Sequence, residues 1–169
     1  MTQALTKTRP GGVRTGVSSG VGDALVIRPV RRGDLDPVIA IDATVTGLEK
    51  RKYWASVYRR YGTGDPGERQ FLVALVDRRV VGFVIGEVRD WEFGSPPCGW
   101  VFAIDVDPQA RLGGIGTRLL EAISAGFRRA GVRKLRTMLA RDNTLILSFF
   151  RSQGLMAGPL ISLEKDLED

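Results

Sequence analysis

The chain has 169 residues, 43% of them hydrophobic, a formal net charge of +6, one cysteine and no histidine. That size suits one domain able to bury a core without disulfides or metals. The lack of histidine excludes a histidine-based triad and argues against a zinc site, so protons fall to a carboxylate, a tyrosine, a terminus or water.

The single Cys98 has no internal partner, which fits a reducing compartment. Basic residues are spread along the chain, from Arg31-Arg32 to Arg133–Arg136, without aromatic interleaving. A nucleic-acid partner is therefore weakly supported, whereas the positive excess suits a polyphosphate ligand. Residues 1–23 are rich in Gly, Ser and Thr, lack periodicity and read as a disordered tail before a domain over 24–169. No stretch has the apolar length of a signal-peptide core or a membrane span, so a cytoplasmic location is expected.

Ala24–Pro29 reads as a first strand. Asp34 is placed to cap a short helix carrying Val38, Ile39 and Ile41, and a second helix spans about 48–61 with Trp54, Val57 and Tyr58 as its apolar face. Tyr53, Trp54 and Tyr58 either line an acceptor pocket or pack that helix onto the sheet. Gly62–Glu68 is a loop, and Gln70–Val76 and Val80–Val88 form a hairpin around Asp77-Arg78-Arg79. Trp91–Cys98 carries two prolines that deny it strand pairing.

Gly99–Val106 is long and apolar enough for a buried strand, and Asp107-Pro108 ends it. After a loop over Gln109–Gly113, Ile115, Leu119, Ile123 and Phe127 recur every four residues and Gly131 supplies a stop, which makes an amphipathic helix. Lys134–Ala140 reads as the next strand. Asn143–Gln153 reads as a helix stopped by Gly154, and Leu155–Leu163 as one or two short closing strands. The alternation predicts a mixed α/β three-layer domain with helices on both faces of a sheet.

The glycine-bearing loop carries the chemistry. Arg111-Leu112-Gly113-Gly114-Ile115-Gly116-Thr117 lies where the long helix begins. There the first backbone N–H groups lack partners and the helix dipole adds positive charge. Glycines let an anion approach that backbone, a cradle for a phosphate. It is not a P-loop, because Gly116 is followed by Thr117-Arg118 rather than lysine and a hydroxyl residue. Nor is it a dinucleotide fingerprint, because the third glycine position is Leu119.

Arg111, Gly114 and Gly116, behind Val106-Asp107-Pro108, resemble the signature of the GNAT superfamily of acetyl-CoA-dependent N-acetyltransferases. The resemblance implies a mostly antiparallel mixed sheet whose fourth and fifth strands splay apart, with acetyl-CoA as co-substrate, no metal, and a monomer or homodimer. It places the pantetheine arm on the backbone of Ile104, Asp105 and Val106, and the pyrophosphate on Leu112, Gly113, Gly114, Ile115, Gly116 and Thr117 beside Arg111. Asn143 through Leu155 is similar to the closing segment of bacterial ribosomal-protein N-terminal acetyltransferases, where the asparagine contacts the cofactor. Asn143 and Gly154 fit that spacing, and Asn143 also suits a helix N-cap.

Two positions depart from the family. The tyrosine that protonates the leaving sulfur is Phe150, and a glutamate often used as base falls at Met138. A thiol of ordinary pKa, about 8.5, leaves tolerably well unprotonated. General acid help is worth roughly 100- to 10,000-fold, while placing amine and thioester together can be worth more. The loss therefore slows such an enzyme rather than abolishing it. A base is sought among Glu87, Asp90, Glu92 and Asp105, acting through water. The expected activity is acetyl transfer from acetyl-CoA to a primary amine by direct attack; the alternative is a non-catalytic acyl-CoA sensor of the same fold.

Overall fold

The continuous apolar runs FLVALV and VVGFVIG become the two central strands of a five-stranded sheet, buried on both faces. A computed structural model describes residues 25–65 and 67–167; the expected tail over 1–23 lies outside them. The strands are β1 (Val26–Pro29), β2 (Arg69–Val76), β3 (Arg79–Arg89), β4 (Cys98–Val106) and β5 (Leu135–Arg136), in that spatial order. β1 to β4 are antiparallel neighbours, and β5 lies parallel to β4.

Strand alternation divides the core into two layers. Phe71, Val73, Leu75, Phe83 and Ile85 meet Val38, Ile39 and Ile41 of α1 (Leu35–Thr46) and Trp54 and Val57 of α2 (Arg51–Val57). Ala74, Val84 and Val101 meet Ile115, Leu119, Leu120, Ile123 and Phe127 of α3 (Ile115–Arg129), and Phe150 of α4 (Thr144–Ser152) joins this second layer. Helices thus cover both faces, and the mixed α/β expectation holds.

Local departures have physical causes. Asp34 precedes α1 but does not cap it. Its carboxylate turns back to accept the Arg31 N–H at 2.6 Å and to pair with Arg28 at 2.7 Å, tying the helix start to the end of β1. The helix expected over 48–61 starts at Arg51 and widens into a π-helical turn at Tyr58–Gly62. β4 begins one residue early, at Cys98. The strand expected over 134–140 shrinks to Leu135–Arg136, because the chain leaves β4 after one two-residue pairing. So short a strand offers little edge to a further one, and the proline at 159 has no N–H to give. Accordingly residues 155–163 form no strand, and Ile161 and Leu163 stay exposed.

Phe127 holds the β4–β5 junction. Its ring lies against Gly99 and Gly86, and a Cβ at Gly86 would come within 3.0 Å of it. Phe127→Ala removes a ring only 2% exposed, so the expected loss is about 3–5 kcal/mol. Chemical denaturation measures it; a loss below about 1 kcal/mol would mean that other side chains hold the junction.

Candidate functional site

β4 changes neighbours part-way along. Gly99 and Trp100 pair with Leu135 and Arg136, and beyond them Val101–Val106 pair with β3 alone. The β3 register skips Phe102, so a bulge bends β4 just past the point where β5 departs. A bulge lets two successive residues share one face, and Phe102 and Ala103 both pack toward α1 and α2. Strand backbone with an open edge presents N–H and C=O groups to any extended partner. Ile104, Asp105 and Val106 lie on this open stretch.

The loop after β4 is a 3₁₀ turn, Pro108–Gly113, opened by Pro108 and by the Asp107 carboxylate accepting the Gln109 N–H at 3.0 Å. Gly114 follows with φ of +65°, a left-handed conformation that glycine adopts without strain, and α3 starts at Ile115. The first helical bond runs from Arg118 N–H to the Gly114 carbonyl, so the N–H groups of Ile115, Gly116 and Thr117 precede the ladder. A Cβ on Gly114 would meet nothing within 4 Å. Arg111 is anchored across the turn, its Nε donating to the Val106 carbonyl at 3.3 Å. The open edge of β4 and the helix start are therefore one continuous surface.

α4 closes one side of it. Asn143 caps the helix, its side-chain oxygen accepting the Ile146 N–H at 3.2 Å. Phe150 is 4% exposed and packs in the α3-side core, whereas the half-buried Phe149 reaches the loop. A Cβ at Gly116 would lie 3.2 Å from the Phe149 ring. Glycine at 116 therefore admits this ring, whereas the spacing from Asn143 points to Phe150, which is turned into the core.

On the opposite face, Asp105 lies directly across from Phe83 in the β3–β4 register. Burial above all, and then repulsion from Asp42, push its pKa up to about 6, against the pull of Arg111 and Lys50. Asp42 itself, on α1, is 5% exposed. It accepts the Trp54 indole N–H at 2.9 Å and pairs with Lys50 at 3.0 Å. Neither Asp42 nor Lys50 was singled out in the sequence, although Val38, Ile41 and Asp42 share a helix face and a carboxylate there is the kind of buried charge that calls for explanation.

A cleft of about 230 Å³ opens beside the bulge, lined by Tyr53, Ser56, Val57, Arg60, Tyr61 and Phe102. Of Tyr53, Trp54 and Tyr58, candidates either for lining a pocket or for packing the helix, Tyr53 lines the cleft, while Trp54 is buried and Tyr58 packs on the core. Tyr61, which sequence reasoning missed, stacks on Phe102 with ring centres 5.1 Å apart and donates its hydroxyl proton to Glu87 at 3.0 Å. Burial first, then that bond, raise the phenol's pKa. Glu87 also pairs with Arg89 at 3.2 Å and lies near Arg60. It sits four residues along β3 from Phe83, about 13 Å from the Asp105 position by strand rise, so the two acids do not share a site. Asp90 and Glu92 lie farther out and are exposed. A larger cavity, about 480 Å³, sits at the other end of α3, between Ser124 and Leu135. No group of three or more acidic, cysteine or histidine ligands is arranged for a metal among the described residues.

Residues 39–155, from α1 through the end of α4, match the sequence model of the acetyltransferase (GNAT) family. The chain belongs to the GNAT family. Among curated proteins, this GNAT chain is 32% identical over 134 residues to the L-2,4-diaminobutyric acid acetyltransferase of Nocardia farcinica, covering 79% of this chain and 65% of that protein. It is also 32% identical over 87 residues to the mycothiol acetyltransferase of Saccharomonospora viridis, covering 50% and 28%. It thus spans just under two thirds of one relative and under a third of the other. Among solved structures, an aminoglycoside N-acetyltransferase in complex with CoA superposes with a TM-score of 0.76 at 17% identity, covering 86% of this chain and 97% of that one. An aminoglycoside 6'-N-acetyltransferase from Acinetobacter baumannii gives 0.72 at 17% identity, covering 86% and 100%. Identity that low shows the shared GNAT fold alone.

The two signature glycines of this GNAT chain differ in what constrains them. Gly114→Ala puts a methyl into open space at positive φ, for an expected cost of about 1 kcal/mol. Gly116→Val drives a branched side chain at Phe149 and should also displace α4. Thermal melts with hydrogen exchange along α4 compare them; equal exchange in both variants would contradict this assignment.

Proposed function

We propose that the chain transfers the acetyl group of acetyl-CoA to a primary amine, of a small molecule or a peptide, by direct attack on the thioester. The observation that carries this reading is the open edge of β4 running into the glycine-rich start of α3. Ile104 and Val106, whose backbone groups alternate away from β3, would pair with the pantetheine amides, with Asp105 between them bonded to β3. The loop Arg111–Thr117 would hold the pyrophosphate with backbone N–H groups, the helix dipole and the Arg111 guanidinium. Asn143 and the Phe149 ring would flank the same arm from α4. The CoA-bound structure of a neighbour with this fold supports the choice of ligand. The names of the relatives, which cite diaminobutyrate and mycothiol, support a small amine as acceptor.

In this reading the amine enters through the cleft of Tyr53, Tyr61 and Phe102. Its nitrogen lone pair attacks the carbonyl carbon, the new C–N bond forms, the C–S bond breaks and the sulfur departs as thiolate. The proton lost by nitrogen passes to Asp105, directly or through water. A carboxylate that titrates near 6 takes up a proton near neutral pH better than one of ordinary pKa. Phe150 gives no proton, and the sulfur leaves as thiolate without one, as a thiol of ordinary pKa does tolerably well. The lone Cys98 and the lack of a helix long and apolar enough to cross a membrane among the described residues fit a cytoplasmic enzyme.

Release of free thiol from acetyl-CoA, measured against a panel of amines that includes 2,4-diaminobutyrate, tests the activity. Amine-dependent release is expected; CoA binding without release for any amine would favour a sensor.

The pH dependence follows from Asp105. The folded pKa lies above the unfolded one, so the folded chain binds more protons between about pH 4 and 6. Its charge therefore costs stability above pH 6, and that cost disappears below about pH 4. kcat/KM should rise with pH through about 6 and then level. Asp105→Asn should lower it roughly 100- to 10,000-fold, leave CoA affinity within a few fold, and stabilise the fold at pH 8 but not at pH 4. The gain is on the order of 1–2 kcal/mol once solvent screening of the exposed part is discounted. A variant with unchanged turnover and the same acid limb would remove Asp105 from the mechanism.

A further inference from the structure

We propose that Asp42, clamped by Trp54 and Lys50 on the face it shares with Asp105, is a positioning residue that acts on acetyl transfer through Asp105. The inference rests on the reading of Asp105 as the proton acceptor.

The geometry is a short chain of contacts in one layer. One Asp42 oxygen takes the indole N–H of Trp54 at 2.9 Å and the other takes the Lys50 ammonium at 3.0 Å. Trp54 is 2% exposed and stands edge-on to Phe83, ring centres 5.1 Å apart. Phe83 is in turn the cross-strand neighbour of Asp105, and such neighbours on one face lie about 5 Å apart at Cβ. An apolar wall thus separates two carboxylates on the same buried side of the sheet. A neutral amide would satisfy the indole equally well. A buried charge in its place is costly, and it does something an amide does not: it repels the charged form of Asp105.

The other groups bearing on Asp105 work against Asp42. Lys50, in the turn before α2, and Arg111, in the glycine loop, both favour the ionised carboxylate. The phenols of Tyr58 and Tyr61 pack against the same layer. Lys50 also neutralises Asp42, so its removal strengthens the repulsion and its own pull vanishes. Asp42 and Lys50 therefore shift Asp105 in opposite directions. A purely structural Asp42 would leave the Asp105 midpoint where it is when Asp42 is neutralised in a folded chain.

The test titrates the Asp105 side-chain carboxyl by carbon-detected NMR in the full chain without ligand, for wild type, Asp42→Asn and Lys50→Gln. The acid limb of kcat/KM is measured beside it with an amine found in the panel. The wild-type midpoint is expected near 6. Asp42→Asn should lower it and Lys50→Gln should raise it, the acid limb following each by the same amount. Thermal melts confirm that each variant is folded. Should Asp42→Asn not fold, Asp42→Ser, which leaves the indole an oxygen acceptor, decides by the sign of its shift. An Asp105 midpoint left unmoved or raised by an Asp42 substitution that folds would overturn the positioning role while leaving Asp105 as proton acceptor. Carboxyl midpoints that move without the acid limb would instead overturn the role of Asp105, and that of Asp42 with it.

Discussion

The structure turns on one loss of pairing: β4 has a partner on both sides as far as Trp100 and on one side only from Val101 to Val106. A strand so placed must leave backbone groups open to water or to a ligand, because nothing in the described chain replaces β5. Three features hold the gap open. Phe127, seated on Gly86 and Gly99, pins the end where β5 still pairs. The bulge at Phe102 bends β4 away beyond it. Pro108 and the Asp107 turn then lead the chain straight into α3, so its start meets the open edge.

This arrangement sorts the chemistry by face. On the α3 side the surface offers N–H groups, a helix dipole and Arg111, all suited to an anion and to an extended amide-bearing arm. The α1 and α2 side offers carboxylates, phenols and a cleft, all suited to an amine. Asp105 stands where the two meet, on the open stretch of β4 but facing α1 and α2. Asp105 turns its backbone to β3 and its side chain to the α1 and α2 side, while its neighbours Ile104 and Val106 present their backbone groups at the open edge. Burial keeps its proton affinity near neutrality, at a cost in stability that folding for its own sake would avoid.

Much of this was legible in the residues. The period of four in Ile115, Leu119, Ile123 and Phe127, the Asp107-Pro108 break and the placement of Gly114 and Gly116 located α3, the end of β4 and the loop between them. Asn143 read correctly as an N-cap because a cap depends on neighbours two or three residues away. What escaped depended on residues far apart in the chain. The segment Lys134–Ala140, with Leu135, Met138 and Leu139, reads as a strand, but only a partner makes one, and β4 leaves it after two residues. Which of Phe149 and Phe150 reaches the loop is a matter of helix rotation, a quarter turn or so per residue. Asp42 carried a visible signal, an acid among the apolar positions of α1. Its partners Lys50 and Trp54 come from the next turn and helix, which no periodicity within α1 reveals.

The measurement that bears most directly on the account is amide NMR of the full chain during titration with CoA. The account predicts that the largest shifts fall on the N–H groups of Ile104, Val106 and Gly114–Thr117, with smaller ones on Asn143 and Phe149. Shifts confined to the cavity at the far end of α3, around Arg128 and Lys134, would contradict it.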